Sequence, residues 1–356
     1  MKQVTSNALW RLIAEIFKGV GSKQEEAEIV ADHLVTANLV GHDSHGVIRT
    51  LPYVAAVLDD RVVPNSHARL AADFAAVSIF DGEAGFGQVV AREAMAAAIE
   101  RSEKFGVAMT ALRNAGHVGR LGAYPEQAAE AGKMSIVMAN SPKLGGGEIA
   151  PFGGTRSTLG AGPIAMGAPR KGHHPMILDI STASVAMGKV RVARNKGEKL
   201  PIKCIVTKDG SFTDDPNAVY DDRHGSVVPF GAHKGSGLNI FTDIFAGLLS
   251  DGGTKKPGEP DRIAQSKNNL FAIVIDPATF GDVEHIQQEF AQFVDFVADA
   301  DPIPGQEVLM PGDMEVRLKK QRLQDGLKLD DNTWDQVLQA AEKAGIDRES
   351  AERLSQ

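Results

Sequence analysis

Apolar residues recur at three- and four-residue steps from the start of the chain. Leu9, Leu12, Ile13, Ile16 and Phe17 share one face of a helix over residues 6–18. Ser22 followed by Glu25 has capping-box spacing. Val30, Leu34 and Ala37 carry a second helix to Gly41, and a third is expected at 51–58. Near residue 75 the period changes. Residues 75–81 read as a strand, 82–87 as a turn, 88–105 as an alanine-rich helix stopped by Gly106, and 107–112 as a strand. A glycine-rich turn at 114–122 leads into a helix that ends near Gly132, and 134–139 is strand-like. Residues 143–163 are glycine-rich, irregular and too long for a plain connection. Strands are expected at 175–180, 185–193 and 202–207. A helix opening at 230–237 carries Leu238, Phe241, Phe245 and Leu248 on one face. A polar loop at 251–267, a strand at 270–275 and helices at 283–297, 314–324 and 334–344 complete the pattern.

This succession predicts an α+β protein without internal repeats. A helical domain is drawn from both chain ends, residues 1–74 and 281–356, around a mixed central domain at 75–280. A chain of 356 residues with 43% hydrophobic and 24% charged positions suits a globular protein with a large core. The net charge of −8 argues against a nucleic-acid or anionic-membrane partner. No apolar run is long enough to span a membrane, and the first residues lack signal-peptide character, so a cytoplasmic location is expected. The single cysteine, Cys204, excludes an intrachain disulfide and a multi-cysteine metal site; its apolar neighbours predict a buried thiol.

The chemistry concentrates at residues 41–50, Gly-His-Asp-Ser-His-Gly-Val-Ile-Arg-Thr, just beyond a helix end. His45 can exchange a proton near neutral pH, with Ser44 beside it to fix its tautomer. Arg49 can grip a carboxylate through two parallel hydrogen bonds. His42 and His45 leave a metal site open as the alternative, although no zinc signature accompanies them. The Gly-His-Val-Gly-Arg-Leu-Gly run at 116–122 and the His233-Lys234-Gly235 run each precede a helix, where amides and a cation favour a phosphate. Each is equally readable as a turn. Asp179 to Ser181 at a strand end, Asn268 before a strand and the Pro-Gly-Asp-Met-Glu run at 311–315 are ligand-facing candidates with the same turn alternative. Neither a G-x-G-x-x-G turn nor a P-loop occurs.

Taken in order, Gly-His-Asp-Ser-His-Gly (41–46), Gly-His-Val-Gly-Arg-Leu-Gly (116–122), Ala-Pro-Phe-Gly-Gly (150–154), Leu-Asp-Ile-Ser-Thr (178–182), His-Lys-Gly (233–235) and Leu-Met-Pro-Gly-Asp (309–313) resemble the type-2 malate/L-lactate dehydrogenases. This family is also called the malate/L-sulfolactate dehydrogenases. The likeness covers nearly the whole chain, and its C-terminal pattern is nearest to the hydroxycarboxylate dehydrogenase branch. The resemblance implies a non-Rossmann NAD(P)-binding domain with a mainly antiparallel central sheet, and a homodimer. It implies hydride transfer between NAD or NADP and a small 2-hydroxy or 2-oxo acid, without a metal. The family's proton donor falls on His45, supported by Ser44, and its substrate carboxylate contact on Arg49. Cofactor contacts fall on His117, Gly119, Arg120 and Leu121; on Ile177, Leu178, Asp179, Ile180 and Ser181; on His233, Lys234 and Asn268; and on Gly312, Asp313, Met314 and Glu315. Many relatives carry Gly-Thr-Asn-Pro where this chain has Gly160-Ala161-Gly162-Pro163, so Ala161 replaces a hydroxyl that can touch substrate. Lys189 stands where the imine-reducing branch has an aspartate, which favours the hydroxyacid branch. Reduction of cyclic imino acids, non-catalytic cofactor binding and metal-dependent hydrolysis are the competing readings.

Overall fold

The computed structural model describes residues 1–142, 147–258 and 267–356. Strand β1 (Lys2–Val4) leads into α1 (Ser6–Gly19), whose first turn is capped by the Thr5 hydroxyl accepting the Ala8 N–H. Its apolar stripe of Leu9, Leu12, Ile13, Ile16 and Phe17 is buried, as the periodicity predicts. Helix α2 (Gln24–Leu39) follows, but the Ser22–Glu25 capping box does not form. Ser22 Oγ instead donates to Glu26 Oε1 at 2.6 Å, because Glu26 is buried and also holds the Asn65 amide. Helix α3 (Thr50–Leu58) completes the first helical group.

A hairpin of β2 (Arg69–Phe74) and β3 (Val77–Asp81) then enters the sheet; β2 lacks alternation and was not expected from sequence. Helix α4 (Gly87–Phe105), β4 (Val107–Ala115), α5 (Ala123–Glu130) and β5 (Met134–Asn140) lie close to their expected places. Strand β6 (Ile164–Ala168), another unexpected element, pairs with β7 (Met176–Ile180). The strand expected at 185–193 is instead the helix α6 (Met187–Lys196), which turns Val190 and Ala193 inward at helical spacing. The strand expected at 202–207 shrinks to β8 (Ile205–Val206), flanked by β9 (Phe212–Thr213) and β10 (Ser226–Val227). Helix α7 (His233–Leu248) and β11 (Asn268–Ile275) match the pattern. So do α8 (Val283–Ala298), α9 (Asp313–Asp325) and α10 (Asp331–Lys343). Strand β12 (Leu327–Leu329) and α11 (Arg348–Leu354) add to it. Parts of the irregular stretch 143–163 and of the loop 251–267, namely 143–146 and 259–266, lie outside the described residues.

Seven of the described strands form one sheet in the order β2-β3-β4-β11-β5-β6-β7. Only β3 and β4 run parallel within it, so the sheet is mainly antiparallel. Helices α4 and α5 bury Val90, Met95, Ala98 and Tyr124 against it with Leu112, Val137 and Leu270. A separate apolar core joins α1, α2 and α3 to β12, α10 and α11, with Leu12, Leu34 and Val54 meeting Leu327, Val337 and Leu338. Each fully buried side chain of this size contributes roughly 1.5–3 kcal/mol. Both chain ends therefore build one helical core, tied by the antiparallel pairing of β1 with β12. The loop at residues 41–50 leaves α2 from this core, and its His42 faces Asp179 on β7.

Candidate active site

The loop after α2 is fixed before any ligand arrives. Gly41 takes a left-handed φ of +88°, which lets the chain leave the helix. Two 3₁₀ turns follow, Asp43–His45 and Val47–Arg49. Between them Gly46 has no room for a side chain, since a Cβ there would lie 2.2 Å from Asn38 Oδ1. That oxygen accepts the Val47 N–H at 2.8 Å, while Asn38 Nδ2 donates to Asp43 Oδ1 at 2.7 Å. From α9, Arg322 donates to both Asp43 oxygens at 2.7 and 3.1 Å and to the Asn38 carbonyl. Asp43 and Asn38 are therefore scaffold, and α9 clamps the loop.

On this scaffold Ser44 Oγ lies 3.0 Å from His45 Nδ1, and Arg49 Nε donates to the Ser44 carbonyl at 2.8 Å. The guanidinium is thus aimed by its own loop, and among the described residues its terminal nitrogens are left for other work. Burial above all, then Arg49, His42 and Arg120, lowers the His45 pKa to about 4. His45 is consequently neutral at neutral pH. Its ring stacks on His117, with centroids 5.6 Å apart and planes at 19°.

His117 begins the glycine-rich turn. The amides there have internal partners: Val118 N–H on Asn268 Oδ1 at 3.0 Å, Arg120 N–H on His33 Nε2 at 2.8 Å, and Gly122 N–H on Asp179 Oδ2 at 2.8 Å. Arg120 is buried and ion-paired to Glu126. The amides of Val118, Arg120 and Gly122 and the Arg120 side chain are therefore engaged within the protein. They are consumed in holding the turn, and what the turn presents is His117.

His33, on α2, is the hidden post of this arrangement. Burial first, then Arg120 and His45, lowers its pKa to about 3, so it stays neutral and accepts from Arg120. Sequence reasoning missed it, together with Tyr53 and Gln88. Tyr53 Oη sits 2.6 Å from His117 Nδ1 and receives the Gln88 Nε2–H at 3.0 Å. One signal was available, because His45, Arg49 and Tyr53 follow at steps of four. His33 also sits among the apolar positions of α2, between Val30 and Leu34.

Asp179 on β7 is pushed up by burial, and it faces His42 Nδ1 at 3.8 Å. His42 Nε2 reaches Glu315 Oε1 at 3.5 Å, which lowers the Glu315 pKa. Asp313 meets His174 Nε2 at 3.2 Å and caps Met310 N–H at 2.9 Å. The Ile177 N–H donates to the Pro311 carbonyl at 3.3 Å, so β7 and the start of α9 are neighbours. The structure thus gathers Ser44, His45 and Arg49 with the 117–121 turn, Asp179 and Asp313 to Glu315.

His233 and Lys234 belong to a second group at the start of α7. They stand exposed, with the Phe152 ring edge-on to His233 at 5.8 Å. Ala161 lies in the same neighbourhood, its carbonyl taking Thr182 N–H at 3.0 Å and Thr182 Oγ1–H at 2.9 Å. Asn239 of α7 donates to the Gly160 carbonyl and to Thr182 Oγ1. The segment 177–182 runs from one group to the other, and α6 brings Gly188 near Ser44, where a Cβ would lie 3.7 Å from the Ser44 Cβ. Among the described residues no three His, Cys, Asp or Glu side chains are grouped as metal ligands. No helix there is long and apolar enough to cross a membrane.

The sequence model of the malate/L-lactate dehydrogenase family matches residues 4–338. The chain is 36% identical over 357 residues to hydroxycarboxylate dehydrogenase B of Escherichia coli K12, covering 99% of this chain and 97% of that one. It superposes on sulfolactate dehydrogenase from Methanocaldococcus jannaschii with a TM-score of 0.86 at 32% identity, over 98% and 99% of the two chains. It is also similar to the delta1-piperideine-2-carboxylate reductase of Pseudomonas syringae pv. tomato, with a TM-score of 0.81 at 28% identity over 96% and 100%.

Proposed function

The chain belongs to the malate/L-lactate dehydrogenase family and is a 2-hydroxyacid dehydrogenase; on that premise we propose that it exchanges a hydride between NAD or NADP and C2 of a small 2-hydroxy or 2-oxo acid at the 44–49 loop. The observation that carries this reading is one hydrogen-bonded loop holding a half-buried neutral imidazole and a guanidinium aimed by its own backbone. A 2-hydroxy acid presents the complementary pair, a hydroxyl to deprotonate and an adjacent carboxylate to hold.

The residues suit a dinucleotide. His233 and Lys234 stand exposed at the positive end of the sixteen-residue α7, a donor set for a pyrophosphate. Ile177 to Ser181, Asn268 and Gly312 to Glu315 would line the rest, a cofactor site built without a Rossmann turn. The cofactor, when bound, supplies or accepts the hydride. Arg49 binds and orients the carboxylate. In oxidation neutral His45 takes the hydroxyl proton; in reduction the imidazolium gives it back to the carbonyl oxygen. Ser44 Oγ, accepting from Nδ1, leaves Nε2 as the working nitrogen. Ala161 offers a methyl in place of a hydroxyl, which leaves room beside the substrate.

A panel of 2-oxo acids with NADH and with NADPH tests this reading. Loss of reduced-nicotinamide absorbance is expected with at least one acid. No turnover across the panel would remove the dehydrogenase reading, and cofactor binding without turnover would favour a binding protein. Cyclic imino acids belong in the same panel, given the likeness to a piperideine-2-carboxylate reductase; exclusive turnover of those would reverse the assignment.

The proposal includes a homodimer in the cytoplasm. Phe241, Ile244 and Leu248 leave α7 exposed along one apolar stripe, and Phe293 and Phe296 do the same on α8. Such area is more often covered by a partner than by water. Light scattering is expected to give twice the chain mass, and a monomer at micromolar concentration would exclude the dimer.

A further inference from the structure

His45 has an imidazole stacked on it, and two titratable rings so close compete for the same proton. The structure contains a device that settles the competition. Gln88, almost fully buried on α4, can only donate through its amide nitrogen, and it donates to Tyr53 Oη at 3.0 Å. The phenol hydrogen then points along the 2.6 Å contact to His117 Nδ1. The Gly119 N–H approaches the same Nδ1 at 3.3 Å. Two donors converge on one nitrogen, and that nitrogen carries no hydrogen of its own.

We propose that Tyr53, oriented by Gln88, is a positioning residue that locks His117 as the neutral Nε2–H tautomer, so that His45 alone titrates during the reaction. Burial pushes the Tyr53 hydroxyl up to about 12, so it remains a donor throughout the working range. Protonating His117 would place a hydrogen on Nδ1 against the Tyr53 and Gly119 donors. It would also set an imidazolium beside His45. Arg49, His42 and Arg120 already disfavour positive charge on His45, and His33, which accepts the Arg120 N–H, is kept neutral by burial. Asp179 on β7 faces His42, while Glu315 of α9 takes its other nitrogen.

The catalytic consequence rests on the dehydrogenase reading, but the tautomer does not, and the test separates the two. Nitrogen NMR on the full chain labelled at histidine, with His117 assigned by its loss in His117→Gln, is expected to show Nε2 protonated and Nδ1 bare. A proton on Nδ1 overturns the proposal without any further variant. Tyr53→Phe keeps the ring and removes the donor. The His117 ring should then take a proton at least about one pH unit higher than in the wild type. The acid limb of kcat/KM for hydroxy acid oxidation should steepen from one proton toward two, with KM for the acid little changed. A purely structural role would lower Tm and leave titration and slope where they were, which overturns the proposal. Should Tyr53→Phe fail to fold, Gln88→Met removes the N–H that turns the phenol hydrogen toward His117. The same shift in smaller measure is expected, and no shift overturns it. If no acid on the panel turns over, the functional reading falls while the NMR result still decides the tautomer.

Discussion

His45→Ala is expected to lower turnover of 2-hydroxy acid by about 10²–10⁴-fold, the range for removing a positioned acid–base group, while nicotinamide cofactor titration by fluorescence stays unchanged. The reason lies in what the ring touches. Ser44 fixes it from one side and His117 stacks on it, whereas the proposed dinucleotide residues on α7 belong to another group. The pH profile carries the same claim with a definite sign. Burial, followed by Arg49, His42 and Arg120, lowers the His45 pKa to about 4. Oxidation needs the neutral ring, so kcat/KM for oxidation should be level through neutral pH and fall only toward pH 4. Reduction needs the imidazolium, so its kcat/KM should fall about tenfold per pH unit above that value. Binding a carboxylate at Arg49 cancels part of the repulsion, so kcat for reduction should persist to higher pH than kcat/KM. Unchanged turnover in His45→Ala removes His45 from the reaction.

Arg49→Lys keeps the charge and loses the fork. One nitrogen of the arginine is already committed to the Ser44 carbonyl at 2.8 Å, and the others remain for a carboxylate. A lysine ammonium cannot hold both in fixed directions. The expected cost is about 2–4 kcal/mol, roughly 30- to 1,000-fold in kcat/KM, seen mainly in KM for the acid because the carboxylate is held before and during hydride transfer. Arg49→Met separates charge from geometry. It should raise KM at least as much and, by removing the second-largest cause of the low His45 pKa, move the acid limb of oxidation to higher pH. If both variants leave KM for the acid alone, Arg49 is not the clamp.

Where side-chain periodicity met a single buried face, the sequence was legible. Helix α1 repeats Leu9, Leu12, Ile13 and Ile16 because that face alone meets the core, and the structure buries each of them. Residues 185–193 were misread because valines at 185, 190 and 192 suggest β structure, while the face that counts is only Val190 with Ala193. Strand β1 is three residues long and exists because β12 pairs with it from the opposite end of the chain, information no local window holds. The capping box at Ser22 lost to a tertiary demand, the buried Glu26. At the site, His45 and Arg49 stood out because two reactive side chains crowd one loop. His33, Tyr53 and Gln88 did not, since each is a lone polar residue on a helix and its purpose appears only when α2, α3 and α4 converge. The glycine turn shows how composition and fold can diverge. Its composition advertised free amides, and the fold uses those of Val118, Arg120 and Gly122 on Asn268, His33 and Asp179.

The joining of β1 to β12 has a bearing on how the molecule is made. On the ribosome, α1 to α3 emerge with Leu12, Leu34 and Val54 already displayed, but Leu327, Val337 and Leu338, which cover them, are translated last. At ordinary elongation rates that interval is on the order of ten to fifty seconds. During it the nascent helices carry an uncovered oily surface, and the sheet region between must close around a loop of most of the chain before relief comes. Yield in a cell should therefore depend on chaperones that shield the early helices, and a premature stop anywhere before β12 should leave an aggregate instead of a shortened enzyme.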